Sequence, residues 1–160
     1  MTTQALQTGT IVSLHGRDLG FKADDKGLVS NGYRLTHPGI VCDATISAEG
    51  ATVSNQRDIS IALKDSKGAA VGYATVEIIV FADAAGAAIT TTGGSTGIAE
   101  AGTPVGKILA TLVAKKLFLC RTSSAGLLNL IYTDVGTDVA FLGIRLPNGI
   151  THVIGELTCA

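Results

Sequence analysis

Hydrophobic and polar residues alternate along much of the chain after Thr10, with the two-residue period of strands that bury one face. The clearest case is the segment 57–64 (RDISIALK), where Ile59, Ile61 and Leu63 point to one side and polar or small residues to the other. This pattern predicts an antiparallel strand with its aliphatic side chains in a core.

The segment from Ala74 to Asp83 (ATVEIIVFAD) is apolar on both faces rather than on one. Alternation puts Val76, Ile78 and Val80 on one face, and Ile79 and Phe81 on the other. A strand covered on both sides lies inside a sheet, so we expect a central strand here.

Four later runs are rich in Leu, Ile, Val and aromatic residues, and each predicts a strand: Leu117 to Arg121, Leu127 to Thr133, Val139 to Leu146 and Thr151 to Glu156. Between the last two, Asn148-Gly149 is typical of a type I′ hairpin turn, which requires two residues with positive φ. Such a turn makes Ile144 and Val153 neighbours across the hairpin. The order of these runs predicts a meander in the C-terminal half.

Three segments are less regular. Val105 to Lys116 fits both a helical and an alternating pattern, and we favour a strand. Thr90 to Pro104 has four Gly and little to bury, which favours a long flexible loop. Residues 1–38 mix Gly with short apolar pieces and are interpreted as an N-terminal arm with irregular loops, followed by a β-sandwich domain over 39–160.

Composition narrows the classes of function. The chain has 160 residues, 46% hydrophobic and 16% charged, with a net charge of -1. It contains no cluster of Lys and Arg, which argues against binding of nucleic acid. Three Tyr, four Phe and no Trp argue against a platform for stacking sugars or bases. Met1 to Thr10 lacks the features of a signal peptide, and Ile108 to Cys120 is too short to cross a bilayer, so we expect a soluble protein.

The cysteines suggest no disulfide framework. Cys42, Cys120 and Cys159 are odd in number and lack C-x-x-C spacing, which also argues against a zinc knuckle. We expect free thiols in a protein made in a reducing cytosol.

Two glycine-rich segments are near misses for phosphate-binding loops. Thr92 to Ala99 (TGGSTGIA) is close to the nucleotide-binding turn of short-chain dehydrogenases, but no long helix and no Tyr-x-x-x-Lys follow it. Gly102 to Ile108 (GTPVGKI) has Ala101 in place of the first Gly and Ile108 in place of the magnesium-binding hydroxyl. We therefore reject both segments as phosphate-binding loops.

Candidate catalytic and metal-binding groups are scattered. His15, His37 and His152 occupy separate pieces of chain, with His152 expected to face water. Asp24-Asp25 lacks the spacing of a calcium loop and is interpreted as a turn. These residues predict no metal centre.

Two further groups have a possible chemical role. Cys120 beside Arg121 could be a nucleophile, although a packed thiol is the favoured interpretation. Asp134 and Asp138 could approach each other in a hairpin loop as a weak cation site or a glycosidase-like pair, although Asp is also a common turn residue. We therefore assign no catalytic, cofactor-binding or metal residues.

The order of features over Ala74 to Glu156 supplies a resemblance. A central strand (VEIIVFADAAGAAIT) is followed by a Gly- and Thr-rich loop, the run LFLCRTSSAGLLNLIYTD and the closing run VAFLGIRLPNGITHVIGE. This order resembles the immunoglobulin-like modules of tailed-bacteriophage virion proteins, in which a Thr-x-x-x-Gly turn, here Thr122 to Gly126, precedes an apolar strand and a final hairpin. The resemblance covers about half of the chain and implies an all-β, antiparallel immunoglobulin-like β-sandwich with an extended or irregular N-terminal arm.

The resemblance also implies a function. We expect a bacteriophage virion structural protein without catalysis, a capsid decoration or cement protein made in the host cytoplasm and located on the capsid surface. Its expected partners are itself, as a homo-oligomer with a trimer as the first expectation, and the major capsid protein or other virion proteins, with no cofactor, nucleic acid or membrane. The alternatives are a tail-tube, neck or fibre component, a receptor- or carbohydrate-binding module, and an enzyme with a loop site near Asp134 and Asp138.

Overall fold

The computed structural model describes residues 11–14, 17–24, 27–30, 33–34, 40–50, 53–91, 96–136 and 138–159. The chain divides into two compact units, Met1–Gly39 and Ile40–Ala160. Each unit is described by itself.

The first unit contains a four-stranded antiparallel sheet in its described residues. The strands are β1 (Ile11–Leu14), β2 (Arg17–Asp24), β3 (Gly27–Ser30) and β4 (Tyr33–Arg34), paired in chain order. The sequence predicts irregular loops here. Three of these strands have four residues or fewer, which is too short to show a two-residue period.

The second unit is a β-sandwich, as the sequence predicts. Its described strands are β5 (Ile40–Ile46), β6 (Gln56–Asp65), β7 (Thr75–Phe81), β8 (Gly97–Glu100), β9 (Lys107–Val113), β10 (Leu117–Arg121), β11 (Leu127–Thr133), β12 (Phe141–Arg145) and β13 (Thr151–Glu156). Among the described residues they form a four-stranded sheet in the order β5-β6-β11-β8 and a five-stranded sheet in the order β13-β12-β7-β10-β9. Each recorded strand pair is antiparallel.

The core lies between these two sheets. Ile59, Ile61 and Leu63 of β6 are each at most 1% exposed, which confirms the face predicted from alternation. Aliphatic side chains of this size each contribute roughly 1.5–3 kcal/mol when buried, so the rows supplied by the strands provide the main stabilisation.

Strand β7 is central in the five-stranded sheet, again as predicted. The loop after the strand returns alongside it, since Ile89 pairs with Phe81 and the Ala82 amide donates to the Ala88 carbonyl at 2.9 Å. On the outer face, Gly86 of this loop lies next to the Phe81 ring. Phe81 is 7% exposed and Ile79 2% exposed, so both faces of β7 are buried.

Two predictions for the irregular segments have opposite outcomes. The strand favoured over 105–116 is confirmed as β9. The loop predicted for Thr90 to Pro104 is wrong at its centre, where β8 pairs with β11 and Ile98 is buried. The glycines around β8 give the segment the composition of a loop, but four residues are enough to complete a sheet edge. Residues 92–95 lie outside the described residues.

The C-terminal meander is also wrong. Strand β10 belongs to the five-stranded sheet, β11 crosses to the four-stranded sheet, and β12 crosses back. Adjacent hairpins remain at β9–β10 and β12–β13. Alternation identifies the strands but carries no information about which sheet each one joins.

The final hairpin has a different turn from the one predicted. Gly149 has φ of 84°, whereas Asn148 has no positive φ, so a type I′ turn is excluded. Pro147 fixes a negative φ at the first central position, and the Gly149 amide donates to the Leu146 carbonyl at 2.9 Å. This is a type I turn followed by a left-handed Gly. The register therefore pairs Ile144 with His152, and Val153 with Gly143.

Candidate interaction surface

Asp134 and Asp138 both follow β11, and the Asp134 carboxylate has a structural role there. It is 1% exposed, and its carboxylate accepts hydrogen bonds from the Tyr132 hydroxyl at 3.3 Å and the Gly136 amide at 2.8 Å. Burial, with the adjacent Asp134 carboxylate, raises the pKa of Tyr132 above its ordinary value. Asp134 therefore fixes the loop after β11, which favours the turn interpretation over a catalytic pair.

Cys120 is fully buried and faces the core, whereas its neighbour Arg121 is exposed. Burial, with a smaller contribution from Glu100, raises the pKa of the Cys120 thiol to about 12. A protonated, inaccessible thiol is a poor nucleophile. Cys42, Cys120 and Cys159 are all free thiols, in agreement with the sequence.

The other candidate groups are not brought together. His152 is exposed on β13. Among the described residues, no group of three or more His, Cys, Asp or Glu is placed to hold a metal ion. His15, His37 and Asp25 lie outside the described residues.

Neither glycine-rich segment leads into a helix. The described end of Thr92 to Ala99 enters β8, and Gly102 to Ile108 enters β9. A phosphate site of the dinucleotide or P-loop type needs a helix N-terminus at that point. The described end of the first segment therefore lies in strand β8, and the second segment leads from β8 into β9.

A distinctive surface feature of the described residues is β9, one of the two edge strands of the five-stranded sheet. Leu109, Leu112 and Val113 are 44%, 50% and 44% exposed; we call these three residues the β9 patch. An edge strand presents backbone N–H and C=O groups without a neighbouring strand, and the exposed aliphatic residues beside them make β9 the candidate interaction surface.

The backbone of β9 is irregular. Its register with β10 shifts twice, so that Leu109 and Leu112 have no residue directly opposite. Such β-bulges bend an edge strand and increase its twist. Two of the three residues in the β9 patch are therefore the extra residues of bulges.

The β9 patch continues onto the outer face of the sheet. Val113 pairs with Leu117, which in turn pairs with Ile79 of β7. Leu117 is half-buried. The chain also carries Lys107, Lys115 and Lys116 around the strand, so the apolar edge is flanked by positive charge.

The sequence pattern predicts this strand but does not predict its position at an edge of the sheet. The signal was present in the consecutive apolar pairs Ile108-Leu109 and Leu112-Val113, which interrupt the two-residue period where the bulges lie. The same pairs produced the competing helical pattern.

Comparison of the chain with protein-family models, characterised proteins and solved structures finds no significant match. Within the described ranges, no helix has the length and apolar character needed to cross a membrane.

Proposed function

We propose that this chain is a bacteriophage virion structural protein that decorates and cements the capsid surface, with the β9 patch as its main contact. It acts without catalysis, as a homo-oligomer for which a trimer is the first expectation. The observation that carries the proposal is the exposed apolar edge strand, together with the resemblance of 74–156 to virion modules.

The physical argument is one of repeated weak contacts. Three aliphatic side chains at half exposure offer only a small apolar area, and an unpaired strand edge adds main-chain hydrogen bonds. Each contact is therefore modest. On a shell that presents the same contact many times, linked copies gain avidity without any new interaction.

The candidate chemical groups support a non-catalytic role. The Asp134 carboxylate holds a turn, and the Cys120 thiol packs in the core. The contribution of these two groups to the stability of the sandwich is sufficient to explain their positions.

The test is electron microscopy of particles assembled with the chain, combined with native mass spectrometry of the free protein. We expect density on the outside of the head at a symmetry axis, and a closed oligomer in solution. Assembly of the purified protein into tubes, or density confined to the tail, would instead support a tail component.

A matched pair of variants tests the β9 patch. Leu112→Glu should reduce occupancy on shells strongly with an unchanged melting temperature, because it puts a charge into the contact but not into the core. Val139→Glu changes an apolar residue of similar exposure, 56%, outside β9, and should keep full occupancy. Equal occupancy of both variants would remove the patch from the proposal.

A further inference from the structure

We propose that the second unit also contains a binding site for a single carboxylate-bearing sugar, formed by Tyr73, Lys107, Arg121, Ser123 and Ser124. These residues line a shallow concavity of about 260 Å³, together with Gly106 and Thr122. The inference goes beyond the proposed structural role and does not depend on it.

The concavity contains two adjacent positive charges. Lys107 and Arg121 lie directly opposite each other on β9 and β10, an arrangement that is unfavourable for like charges. In the described part of the chain neither forms an ion pair. Glu77 pairs with Arg145 at 2.9 Å, and Glu100 accepts from the Ile108 amide at 2.8 Å. Two adjacent cations that have no ion-pair partner among the described residues attract an anionic group.

Tyr73 supplies an exposed ring beside these cations. It is 65% exposed and has φ of 55°, a left-handed conformation that is unusual for a bulky residue and is associated with functional sites. The Arg121 guanidinium lies 5.9 Å from the ring centroid, within the range of a cation–π interaction. The ring therefore helps to orient the cation.

The backbone holds Tyr73 in this conformation from both sides. Its amide donates to the Ser123 carbonyl at 3.0 Å. The Thr122 hydroxyl, which is buried, accepts from the Ala74 amide at 3.0 Å. The backbone that carries the ring is thus fixed before any ligand arrives, which lowers the entropic cost of binding.

Gly72 makes this arrangement possible. The Ser124 carbonyl oxygen lies where a Cβ atom at position 72 would be, so only Gly lets the two loops approach so closely. Beside it, the Ser123 hydroxyl oxygen accepts from the Ala125 and Leu127 amides, both at 3.3 Å, which leaves its proton available to a ligand oxygen.

The combination of two cations, an aromatic ring and a hydroxyl donor favours an acidic sugar over a small inorganic anion. Cations bind the carboxylate, an aromatic ring packs against the apolar face of a sugar, and a hydroxyl donor meets the sugar hydroxyls. The volume is at the small end for ligand sites, which suits one ring. One exposed Tyr is compatible with the low aromatic content, which argues only against an extended stacking platform.

The test is an NMR titration of the full chain with sodium glucuronate, glucose and sodium sulfate in parallel. Glucuronate should shift the amides of Tyr73, Lys107 and Arg121, with glucose giving no shifts and sulfate weaker ones. Arg121→Gln should weaken glucuronate binding by about tenfold or more, since it removes a charge-assisted hydrogen bond. Arg145→Gln removes the same charge from an ion-paired residue on the same sheet face and should leave binding unchanged.

Tyr73→Gly separates a binding role from a structural one. Gly adopts a positive φ freely, so this variant should melt at the same or a higher temperature while losing glucuronate binding. Sulfate and glucuronate binding equally well would overturn the sugar assignment, as would equal binding of glucose. The whole proposal would be overturned by an absence of shifts with glucuronate, or by equal losses in the Arg121 and Arg145 variants.

Discussion

The ring of Phe81 lies against the backbone of Gly143, in the space that a Cβ atom at position 143 would occupy. Gly143→Ala should therefore displace the ring and its covering loop, with a loss of about 1–3 kcal/mol in the free energy of unfolding. Urea denaturation followed by circular dichroism measures this loss.

Gly102→Ala is the matched control, because nothing lies within 4 Å of a Cβ atom there. It should leave the denaturation midpoint nearly unchanged. A second variant, Phe81→Leu in the Gly143→Ala background, should recover part of the loss by removing the overlapping ring. Identical midpoints for both alanine variants would contradict the close packing.

Ile61→Asp should prevent folding. Ile61 is 0% exposed at the centre of β6, and an unpaired buried carboxylate costs several kcal/mol. Ser60→Asp, on the exposed face of the same strand, introduces the same charge and should fold normally. Thermal melting of both proteins compares the two faces, and a wild-type melting temperature for Ile61→Asp would exclude the inward orientation.

Asp134→Ala tests the buried hydrogen bonds of the loop after β11. The change leaves the buried Tyr132 hydroxyl without its recorded acceptor, which should cost about 1–3 kcal/mol of stability. Asp138→Ala, a less buried carboxylate in the same loop, should have a much smaller effect. Comparable stabilities in denaturant would show that Asp134 does not hold the loop.

Stability should decline in alkali. Burial raises the pKa of the Cys120 thiol from an ordinary 9.0 to about 12, and that of Cys42 to about 11, so the folded state retains protons that the unfolded state releases. The stability that the protonated thiols contribute is fully present below pH 9.0. It is lost as the pH rises through the thiol pKa values of the folded state, about 11 and about 12.

Cys120→Ala removes one of these groups. Its destabilisation relative to wild type should shrink as the pH rises, since only the wild-type chain loses the thiol contribution. Urea denaturation at pH values from about 8 to about 11 measures the difference. A constant difference across this range would contradict a protonated buried thiol.

The strands with the strongest alternation could be predicted from sequence, and the reason is physical. Ile59, Ile61 and Leu63 face one core, so each residue reports directly on its side of the sheet. By contrast, Gly97 and Ile98 belong to β8, a short edge strand whose pairing depends on β11, a distant segment. Local pattern contains no record of that partner.

The candidate sites were harder to predict for the same reason. Tyr73, Lys107 and Arg121 are separated in the chain and meet only because β9, β10 and the turn before β7 converge. The exposure of Leu109 and Leu112 likewise follows from the place of β9 in the sheet order. The first feature has no motif that a sequence could display. The second leaves only the apolar pairs Ile108-Leu109 and Leu112-Val113, which fit a helix as well as a bulged strand.

The two bulges of β9 limit how this edge can grow. A straight strand from another molecule can form backbone hydrogen bonds with only a short stretch of the bent β9 strand. Strand pairing at this edge therefore does not continue from one molecule to the next. Endless stacking into fibrils requires long, flat, in-register edges, which this strand does not offer. A protein with such an edge can bind partners along β9 and still form assemblies of finite size.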